Sequence, residues 1–395
     1  MNNKIILKSA NILDIKKEIQ IVGFDSLYLD VAQNKYKHMT FKIFSLKPVE
    51  ANILKQLCLS LGFDCAVSRE TISCNCEYTD CIISATVAQY NLLIKKLLIQ
   101  PFRLKELANI LKNTLDYTPS KIDLKNKHLE WDKPLMMGIV NVTPDSFSDG
   151  GNISNKEESI EKSLQLIADG ADIIDIGGES TRPGATDVSP IKESDRVIPI
   201  IEAIRKVNKT IPISIDTRNY ITAMKAINAG ADIINDVSAL RNDSRLLSYV
   251  CENNIPTIIM HATKVPAELD PKDFQGDIVE DIYKFFAKRI EELTEKGLEQ
   301  RHIIIDPGIG FGKSVKDSFE IIKRVNEFKS LNCPILMGIS RKSFMKKEFN
   351  ITNTEALDSL SALYGMQMLN KGTHILRVHN VKMHTEQYKY ISKVI

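Results

Sequence analysis

Residues 138–151 read GIVNVTPDSFSDGG, a segment in which an apolar strand runs directly into a long polar loop. Ile139 and Val140 are typical of the end of a buried strand, whereas residues 143–151 are too polar for a protein core and too rich in glycine for a helix. Residues 171–185, ADIIDIGGESTRPGA, repeat the arrangement with a second buried strand and a second polar loop. Parallel βα barrels present functional side chains in this way, on loops that follow the carboxyl ends of their strands.

The pattern extends on both sides of this segment, because residues 134–395 alternate apolar strands with amphipathic helices, which is typical of parallel βα architecture. Eight strands can be counted, namely LMMGIVNV (135–142), ADIIDIGG (171–178), IPISIDT (211–217), ADIINDVSA (231–239), PTIIMH (256–261), HIIIDPG (302–308), PILMGIS (334–340) and HILRVHNV (374–381). Eight strands in 262 residues (134 through 395) predict an α/β fold, a (β/α)8 TIM barrel, which usually contains about 250 residues. A doubly wound open sheet is the alternative, but it normally has fewer strands and needs no polar cluster after each one.

Residues 1–120 carry no motif of catalytic character, and we expect them to form a small α+β domain of unknown role. Within them, HMTFKIFSL (38–46) is strand-like, and VEANILKQLCLSLG (49–62) has helical periodicity and ends at a glycine. Residues 121–133 are polar, and we predict that they link this domain to the barrel at 134–395.

The composition is that of an ordinary soluble globular protein, with 26% charged and 43% hydrophobic residues. The formal net charge of +2 is too small to indicate a nucleic-acid or membrane partner. No apolar run approaches the roughly 18 residues that span a bilayer. The first residues lack the apolar core of a secretory signal, so we expect a cytoplasmic protein.

The chain has seven cysteines, and an odd number spread over this length predicts reduced thiols rather than a disulfide framework. Cys74, Cys76 and Cys81 form C-x-C-x4-C, which raises the interpretation of a zinc site. That spacing differs from the usual C-x2-C pairs, and a fourth ligand is not nearby in the sequence. Ordinary thiols are therefore the favoured interpretation.

Polar side chains stand at the carboxyl end of each predicted barrel strand, and these ends meet at one mouth of a barrel. The set comprises Asn141, Glu179, Asp216, Asn235, Asp236, His261, Asp306, Ser340, Arg341, Lys342, Arg377 and His379. Any one of them has an alternative role as a helix cap or a loop contact, and for Asp236 we favour the cap. The nearly complete ring nevertheless favours a functional site.

The succession of motifs along residues 134–385 resembles that of the dihydropteroate synthases, which join a pterin to p-aminobenzoate. At the places of the family's motifs the chain reads VNVTPDSFSDGG, DIGGESTRPGA, SIDT, NDVSA, MH, DPGIGFGK, GISRKSF and RVHN. The resemblance implies a transferase of folate biosynthesis and a sulfonamide target. Its expected reaction condenses 6-hydroxymethyl-7,8-dihydropterin pyrophosphate with p-aminobenzoate to give 7,8-dihydropteroate and pyrophosphate. Asn380 departs from the usual RVHD, and the loop after His261 departs from the usual Met-x-Gly.

For the pterin, the resemblance implies binding by Asp216, Asn235, Asp306 and Lys342. Carboxylates suit the adjacent N–H donors of the ring, and an amide serves both donor and acceptor atoms. Met260 would stack on the ring, although a place in the hydrophobic core is an equally good interpretation.

For the pyrophosphate, the resemblance implies Arg377, His379 and Arg182. Arg377 and His379 share one strand face, and arginine binds phosphate oxygens bidentately. Asn141 is expected to hold a Mg²⁺ ion at the pyrophosphate, since this ion keeps several waters and takes few protein oxygens. Mg²⁺ is the cofactor that we expect.

For p-aminobenzoate, the resemblance implies a pocket made by Phe147 on the first loop, by Thr181 and Pro183 on the second, and by Phe311 and Ser340. Closure of the two loops around the first substrate would give ordered binding.

Because an arylamine is neutral at pH 7, the expected displacement of pyrophosphate requires no strong general base, and catalysis should depend on charge stabilisation and positioning. The expected catalytic groups are Arg182, Lys342, Arg377 and His379, together with Asp145, which would stabilise positive charge on the pterin methylene carbon. Asp145 is alternatively a turn-forming residue after a proline.

The nearest alternative function is a pterin-binding methyltetrahydrofolate:corrinoid methyltransferase, which needs neither a pyrophosphate clamp nor the STRPG loop. A catalytically silent pterin-binding homologue is a third possibility, and the joint presence of Asn141, Arg182 and Arg377 disfavours it. A homodimer is implied by the resemblance alone.

Overall fold

The structure is a computed structural model, and it describes residues 14–125, 127–142, 154–179, 188–262 and 276–393. The chain divides into two compact units, Met1–Tyr117 and Thr118–Ile395, called here the N-terminal unit and the barrel unit. No helix within the described ranges combines the length and the apolar character needed to cross a membrane.

The N-terminal unit packs helices on one face of an antiparallel sheet. Its strands pair in the order β1-β3-β2, with bounds β1 (His38–Leu46), β2 (Cys65–Val67) and β3 (Thr79–Thr86). Its helices are α1 (Ile15–Ile21), α2 (Leu29–Ala32), α3 (Pro48–Ser60), α4 (Val87–Leu97) and α5 (Leu104–Leu115). Buried and exposed residues alternate along β3, because successive side chains of a strand point to opposite faces.

All seven cysteines are free thiols. Cys81 is buried in the core of the N-terminal unit, whereas Cys74 is exposed and Cys76 is half-buried. Among the described residues, no group of three or more histidine, cysteine or acidic side chains is arranged to hold a metal ion.

The barrel unit contains the predicted parallel barrel, and the predicted fold class is confirmed. Each predicted strand segment contains one observed strand: β6 (Leu135–Asn141), β7 (Ile173–Gly177), β8 (Ile213–Asp216), β9 (Ile233–Asp236), β10 (Thr257–Met260), β11 (Ile303–Asp306), β12 (Leu336–Met337) and β13 (Ile375–Val378). The strand order is β11-β10-β9-β8-β7-β6-β13-β12. A parallel bridge between Ile305 and Ile335 joins the two ends of this order and closes the ring.

Helices surround this barrel and alternate with its strands. They are α6 (Ser154–Ala168), α7 (Pro190–Val207), α8 (Tyr220–Ala229), α9 (Ser244–Glu252), α10 (Ile278–Glu295), α11 (Val315–Arg324), α12 (Ser343–Phe349), α13 (Thr354–Asn370) and α14 (Val381–Ile391). Gly230 ends α8 with a φ of 114°, a left-handed conformation that glycine adopts without strain.

Inside the barrel, the first layer of inward side chains is apolar and the next layer is mostly polar. One cluster in the first layer contains Met137, Ile173, Ile233, Ile258, Ile304, Leu336 and Ile375. Two residues further along the same strands stand Asp175, Asn235, Met260, Asp306 and Arg377. Because strand side chains alternate with a period of two, these residues face the same interior. The apolar layer therefore supports a polar layer nearer the mouth.

The segment 121–133, for which a linker is predicted, holds a two-stranded hairpin of β4 (Ile122–Asp123) and β5 (His128–Leu129). Ile122 and Leu129 pack on the apolar first layer of the barrel and cover its amino-terminal end. Polar residues outnumber apolar ones in this segment, so its composition gives little indication of this packing.

Candidate active site

Arg377 on β13 is the centre of an ion-pair network at the mouth of the barrel. Its Nε donates to Oδ2 of Asp175 at 2.6 Å, and its Nη2 donates to Oδ2 of Asp216 at 2.7 Å. The side chains of Asp175 and Asp216 are 0% and 11% exposed. Burial alone would lower the pKa of Arg377, but the two carboxylates raise it above its usual value, so the guanidinium stays charged. Its Nη1 makes no hydrogen bond within the described part of the chain.

Asp175 is a site residue that the sequence analysis missed. It lies inside the apolar strand β7, whereas the predicted site residues stand at the ends of strands. The sequence does contain a feature that indicates Asp175, namely an aspartate within an apolar strand. An unpaired carboxylate is too costly to bury there. A buried aspartate at an inward position therefore requires a cationic partner elsewhere in the barrel.

Asn235 and Asp216 lie at the same level of the barrel, because they are register partners on β9 and β8. The Nδ2 of Asn235 lies 3.4 and 3.3 Å from the two carboxylate oxygens of Asp175. Burial and the charge of Asp175 raise the pKa of Asp216 to about 7, against the lowering effect of Arg377. Two carboxylates thus share one guanidinium beside an amide.

Asp306 at the end of β11 is also buried. Its Oδ1 accepts the N–H of Gly308 at 2.8 Å. Burial raises its pKa above the usual value, while that N–H and the charges of Lys342 and Arg377 act in the opposite direction. Lys313 acts in the same direction, so three cations lie close enough to stabilise this carboxylate.

Lys342 and Phe311 lie next to each other in the segments that follow β12 and β11. The Nζ of Lys342 lies 4.2 Å from the centroid of the Phe311 ring, within the range of a cation–π interaction. Burial lowers the pKa of Lys342 to about 8, and nearby Asp306 opposes the shift. Met260 packs with Phe311 in a small cluster at the mouth.

Lys313, which the sequence analysis did not single out, fastens the loop after β11 to the end of β10. Its buried Nζ donates to the carbonyl oxygens of His261 at 3.0 Å and Phe311 at 3.1 Å. Gly308 packs against the same His261 carbonyl and has a φ of 68°, so a Cβ at this position would collide with it. This close approach explains the glycine.

His379 and Ser340 lie together after the carboxyl ends of β13 and β12. The Nδ1 of His379 is 3.0 Å from Oγ of Ser340, which also accepts the backbone N–H of His379 at 3.2 Å. Burial and the charges of Arg341 and Arg377 lower the pKa of His379 to about 3. The imidazole is therefore neutral at pH 7 and contributes hydrogen bonds rather than charge.

Several polar residues at strand ends have structural roles instead. Asp236 accepts hydrogen bonds from both N–H and Oγ of Ser238 and from the N–H of Leu240, so it stabilises the turn after β9. The prediction of a helix cap is wrong, because the N-cap of α9 is Asp243. Glu179 accepts two hydrogen bonds from the guanidinium of Arg218, at 3.2 and 3.1 Å.

Arg341 and Asn380 also have structural roles. Arg341 binds Asp358 of α13 through Nε and Nη2, at 2.7 and 2.8 Å. Asn380 donates to the same carboxylate at 3.2 Å and caps α14 by accepting the N–H of Met383.

Asn141 ends β6 beside Gly177 of β7 and is half-buried at the mouth. The other predicted residues of the two polar loops lie outside the described residues: Asp145, Phe147, Thr181, Arg182 and Pro183.

Carboxylates, an amide, a lysine and an arginine from different strands thus converge on the mouth of a (β/α)8 barrel, as in barrel enzymes that bind a pterin. The family described as "Pterin binding enzyme" matches residues 137–379. The dihydropteroate synthase of Bacillus subtilis is 37% identical over 285 residues, which cover 72% of this chain and 96% of that protein. The chain therefore belongs to the dihydropteroate synthase family, whose members are transferases.

A solved structure of Xanthomonas albilineans dihydropteroate synthase with 4-aminobenzoic acid is similar, with a TM-score of 0.66 and 36% identity. The similarity covers 70% of this chain and 98% of that one.

A probable bifunctional folylpolyglutamate synthase/dihydropteroate synthase of Haloferax volcanii is 35% identical over 347 residues, which cover 84% of this chain. That share exceeds the 262 of 395 residues in the barrel segment 134–395, so the similarity includes residues that precede the barrel. The chain spans 40% of the length of that relative.

Proposed function

We propose that this protein joins 6-hydroxymethyl-7,8-dihydropterin pyrophosphate to p-aminobenzoate and releases pyrophosphate. The observation that carries the proposal is the convergence of Asp216, Asn235, Asp306 and Lys342 around the guanidinium of Arg377. The Xanthomonas relative solved with 4-aminobenzoic acid supports the choice of second substrate.

The buried acceptors suit the pterin ring. Its adjacent N–H groups are donors, and Asp306 and Asp216 offer carboxylate oxygens that accept them. Lys342, largely protonated at neutral pH with a pKa of about 8, would donate to the ring carbonyl. Met260 and Phe311 would supply apolar contact for the ring and for p-aminobenzoate, respectively.

Arg377 would bind the pyrophosphate through the nitrogen that its two carboxylates leave open. Neutral His379 would add a hydrogen bond through Nε2, because its Nδ1 faces Ser340. Arg182, which lies outside the described residues, completes this proposed anion site.

We propose Mg²⁺ as the cofactor and Asn141 as its protein ligand. A half-buried amide at a strand end fits this ion, which prefers oxygen ligands and retains most of its water. When bound, the ion would supply positive charge to the pyrophosphate oxygens.

In the proposed reaction, the neutral amine of p-aminobenzoate attacks the pterin methylene carbon. The carbon–oxygen bond to pyrophosphate breaks, and the amine nitrogen loses a proton to solvent. Arg377 and Arg182 stabilise the leaving group, and Asp145 stabilises positive charge on the methylene carbon. The p-aminobenzoate pocket is proposed to contain Phe311 and Ser340 together with the loop residues Phe147, Thr181 and Pro183.

The decisive experiment incubates the purified chain with the pterin pyrophosphate, p-aminobenzoate and Mg²⁺ and measures pyrophosphate release. Release that requires both substrates and the metal supports the proposal. Methyl transfer to cob(I)alamin without pyrophosphate release would favour the methyltransferase, and pterin binding without either reaction would favour the silent homologue.

We also propose a cytoplasmic homodimer. Light scattering of the purified chain should then give twice the mass of 44.5 kDa. A mass of one chain at assay concentration would contradict this part of the proposal.

A further inference from the structure

We infer that Asp175 is a positioning residue that sets the direction of the Asn235 amide and the plane of the Arg377 guanidinium. This inference rests on the proposed function, since it assigns Asp175 a role in pterin recognition by that same site.

Asp175 is fully buried, whereas the side chains of Asp216 and Arg377 are 11% and 19% exposed. It is the register partner of Ser214, whereas Gly177, two residues later, is level with Asp216. Asp216 in turn is level with Asn235. With a side chain that is 0% exposed, Asp175 acts on a ligand only through the residues that it contacts.

The first of these residues is Asn235. A carboxylate paired with a guanidinium only accepts hydrogen bonds, so it selects the N–H side of a neighbouring amide. Nδ2 of Asn235 faces Asp175, and a rotated amide would place its oxygen against the carboxylate instead. The acceptor Oδ1 and the other N–H donor of Asn235 therefore face the mouth at fixed positions. A pterin has alternating donors and acceptors along its edge, so a fixed donor and a fixed acceptor can bind it in one orientation.

The second residue is Arg377. A guanidinium is planar, so two hydrogen bonds to different carboxylates fix its orientation as well as its position. The bonds to Asp175 through Nε and to Asp216 through Nη2 have lengths of 2.6 and 2.7 Å. They leave Nη1 as the nitrogen that a pyrophosphate reaches. Asp175 thus connects the pterin side of the site to its anion side.

A merely structural role, in which Asp175 only neutralises Arg377, makes different predictions. Loss of structure would disturb both substrates, whereas loss of positioning affects the pterin substrate selectively. The variant Asp175→Asn separates the two, because asparagine keeps the shape but also donates hydrogen bonds, so it no longer selects one direction of the Asn235 amide.

The matched control is Ser214→Ala. Ser214 is the buried register partner of Asp175 on β8, and its Oγ has no hydrogen-bond partner among the described residues. We expect Asp175→Asn to weaken free 6-hydroxymethylpterin in calorimetry and to raise KM for the pterin pyrophosphate, each by about ten- to a hundredfold, as for a lost charged hydrogen bond. KM for p-aminobenzoate should stay unchanged, and Ser214→Ala should match the wild type. Equal increases in KM for the pterin pyrophosphate and for p-aminobenzoate would overturn the inference.

A double-mutant cycle tests the route through Asn235. In an Asn235→Ala background, Asp175→Asn should cause much less loss of free-pterin affinity than it does in the wild type, because the oriented amide is already gone. Fully additive losses would overturn the inference.

The wild-type protein provides a measurement that does not depend on whether Asp175→Asn folds. With ¹⁵N confined to asparagine side chains and Asn235→Ala used for assignment, one Asn235 amide proton should exchange with solvent at least about tenfold more slowly than its partner, as expected for a buried hydrogen bond. Equal exchange of the two protons would refute the fixed direction. A wild-type protein that neither binds pterin nor releases pyrophosphate would instead refute the proposed function.

Discussion

Replacing Arg377 by methionine removes the guanidinium that Asp175 and Asp216 share, and we expect a large and pH-dependent loss of stability. The two carboxylates are 0% and 11% exposed and would be left side by side without their cation. Removal of one partner from a buried ion pair typically costs about 3–5 kcal/mol. For a domain of this size that loss corresponds to a decrease in Tm of roughly 10 °C.

The pH dependence follows from the direction of the pKa shifts. Burial and Asp175 already raise the pKa of Asp216 to about 7 in the wild type, and Arg377 opposes them. Without Arg377 this pKa rises further above its unfolded value. A raised carboxyl pKa means that stability is greatest at low pH and is lost as pH rises through the folded pKa. The penalty of Arg377→Met should therefore be largest at pH 8 and smaller at pH 5.

Thermal unfolding followed by circular dichroism at pH 5 and pH 8 measures this difference. The double variant Arg377→Met/Asp216→Asn is the matched control, since it leaves one carboxylate in place of two and should recover part of the Tm at pH 8. An equal decrease in Tm at both pH values, or no recovery in the double variant, would refute the electrostatic reasoning.

Asp306→Asn should weaken free-pterin binding by about 1–3 kcal/mol in calorimetry, because it removes a charged acceptor from the site. Asn380→Asp should lower Tm more at pH 8 than at pH 5, because a second carboxylate would stand where Asn380 now donates to Asp358 at 3.2 Å. Glu50→Gln should make the N-terminal unit more susceptible to trypsin, because buried Glu50 accepts hydrogen bonds from Arg103 at 3.2 and 3.0 Å. Weakening the Glu50–Arg103 pair should lower the free energy of unfolding of this unit by about 1–3 kcal/mol.

Two of these variants have a control, and the third has an outcome that would contradict it. Asn353→Asp changes another helix-capping asparagine, which accepts the N–H of Ala356, and should not reproduce the pH-dependent loss seen at Asn380. For Glu50→Gln, pyrophosphate release by the barrel unit should remain at the wild-type level while proteolysis accelerates. Unchanged pterin affinity in Asp306→Asn would remove that residue from the binding site.

Local patterns in the sequence were sufficient to predict the barrel and most residues of its mouth. Apolar strands, amphipathic helices and the glycine that ends α8 are properties of short windows, so each could be recognised without knowing its neighbours. The positions of Asp216, Asn235 and Asp306 followed as well, because the carboxyl ends of parallel strands always meet at one end of a barrel.

The pairing of charges depended on the closed barrel. Asp175 and Arg377 are 202 residues apart, and Asp216 and Arg377 are 161 residues apart, so no local window relates them. The stagger of β7, β8 and β13 decides which inward side chains come within hydrogen-bond distance. Burial, which makes His379 neutral and raises the pKa of Asp216, is likewise a property of the assembled interior. The sequence shows which polar residues stand at the ends of the strands. Their hydrogen-bond partners and charge states are decided only when distant strands close around a common cavity.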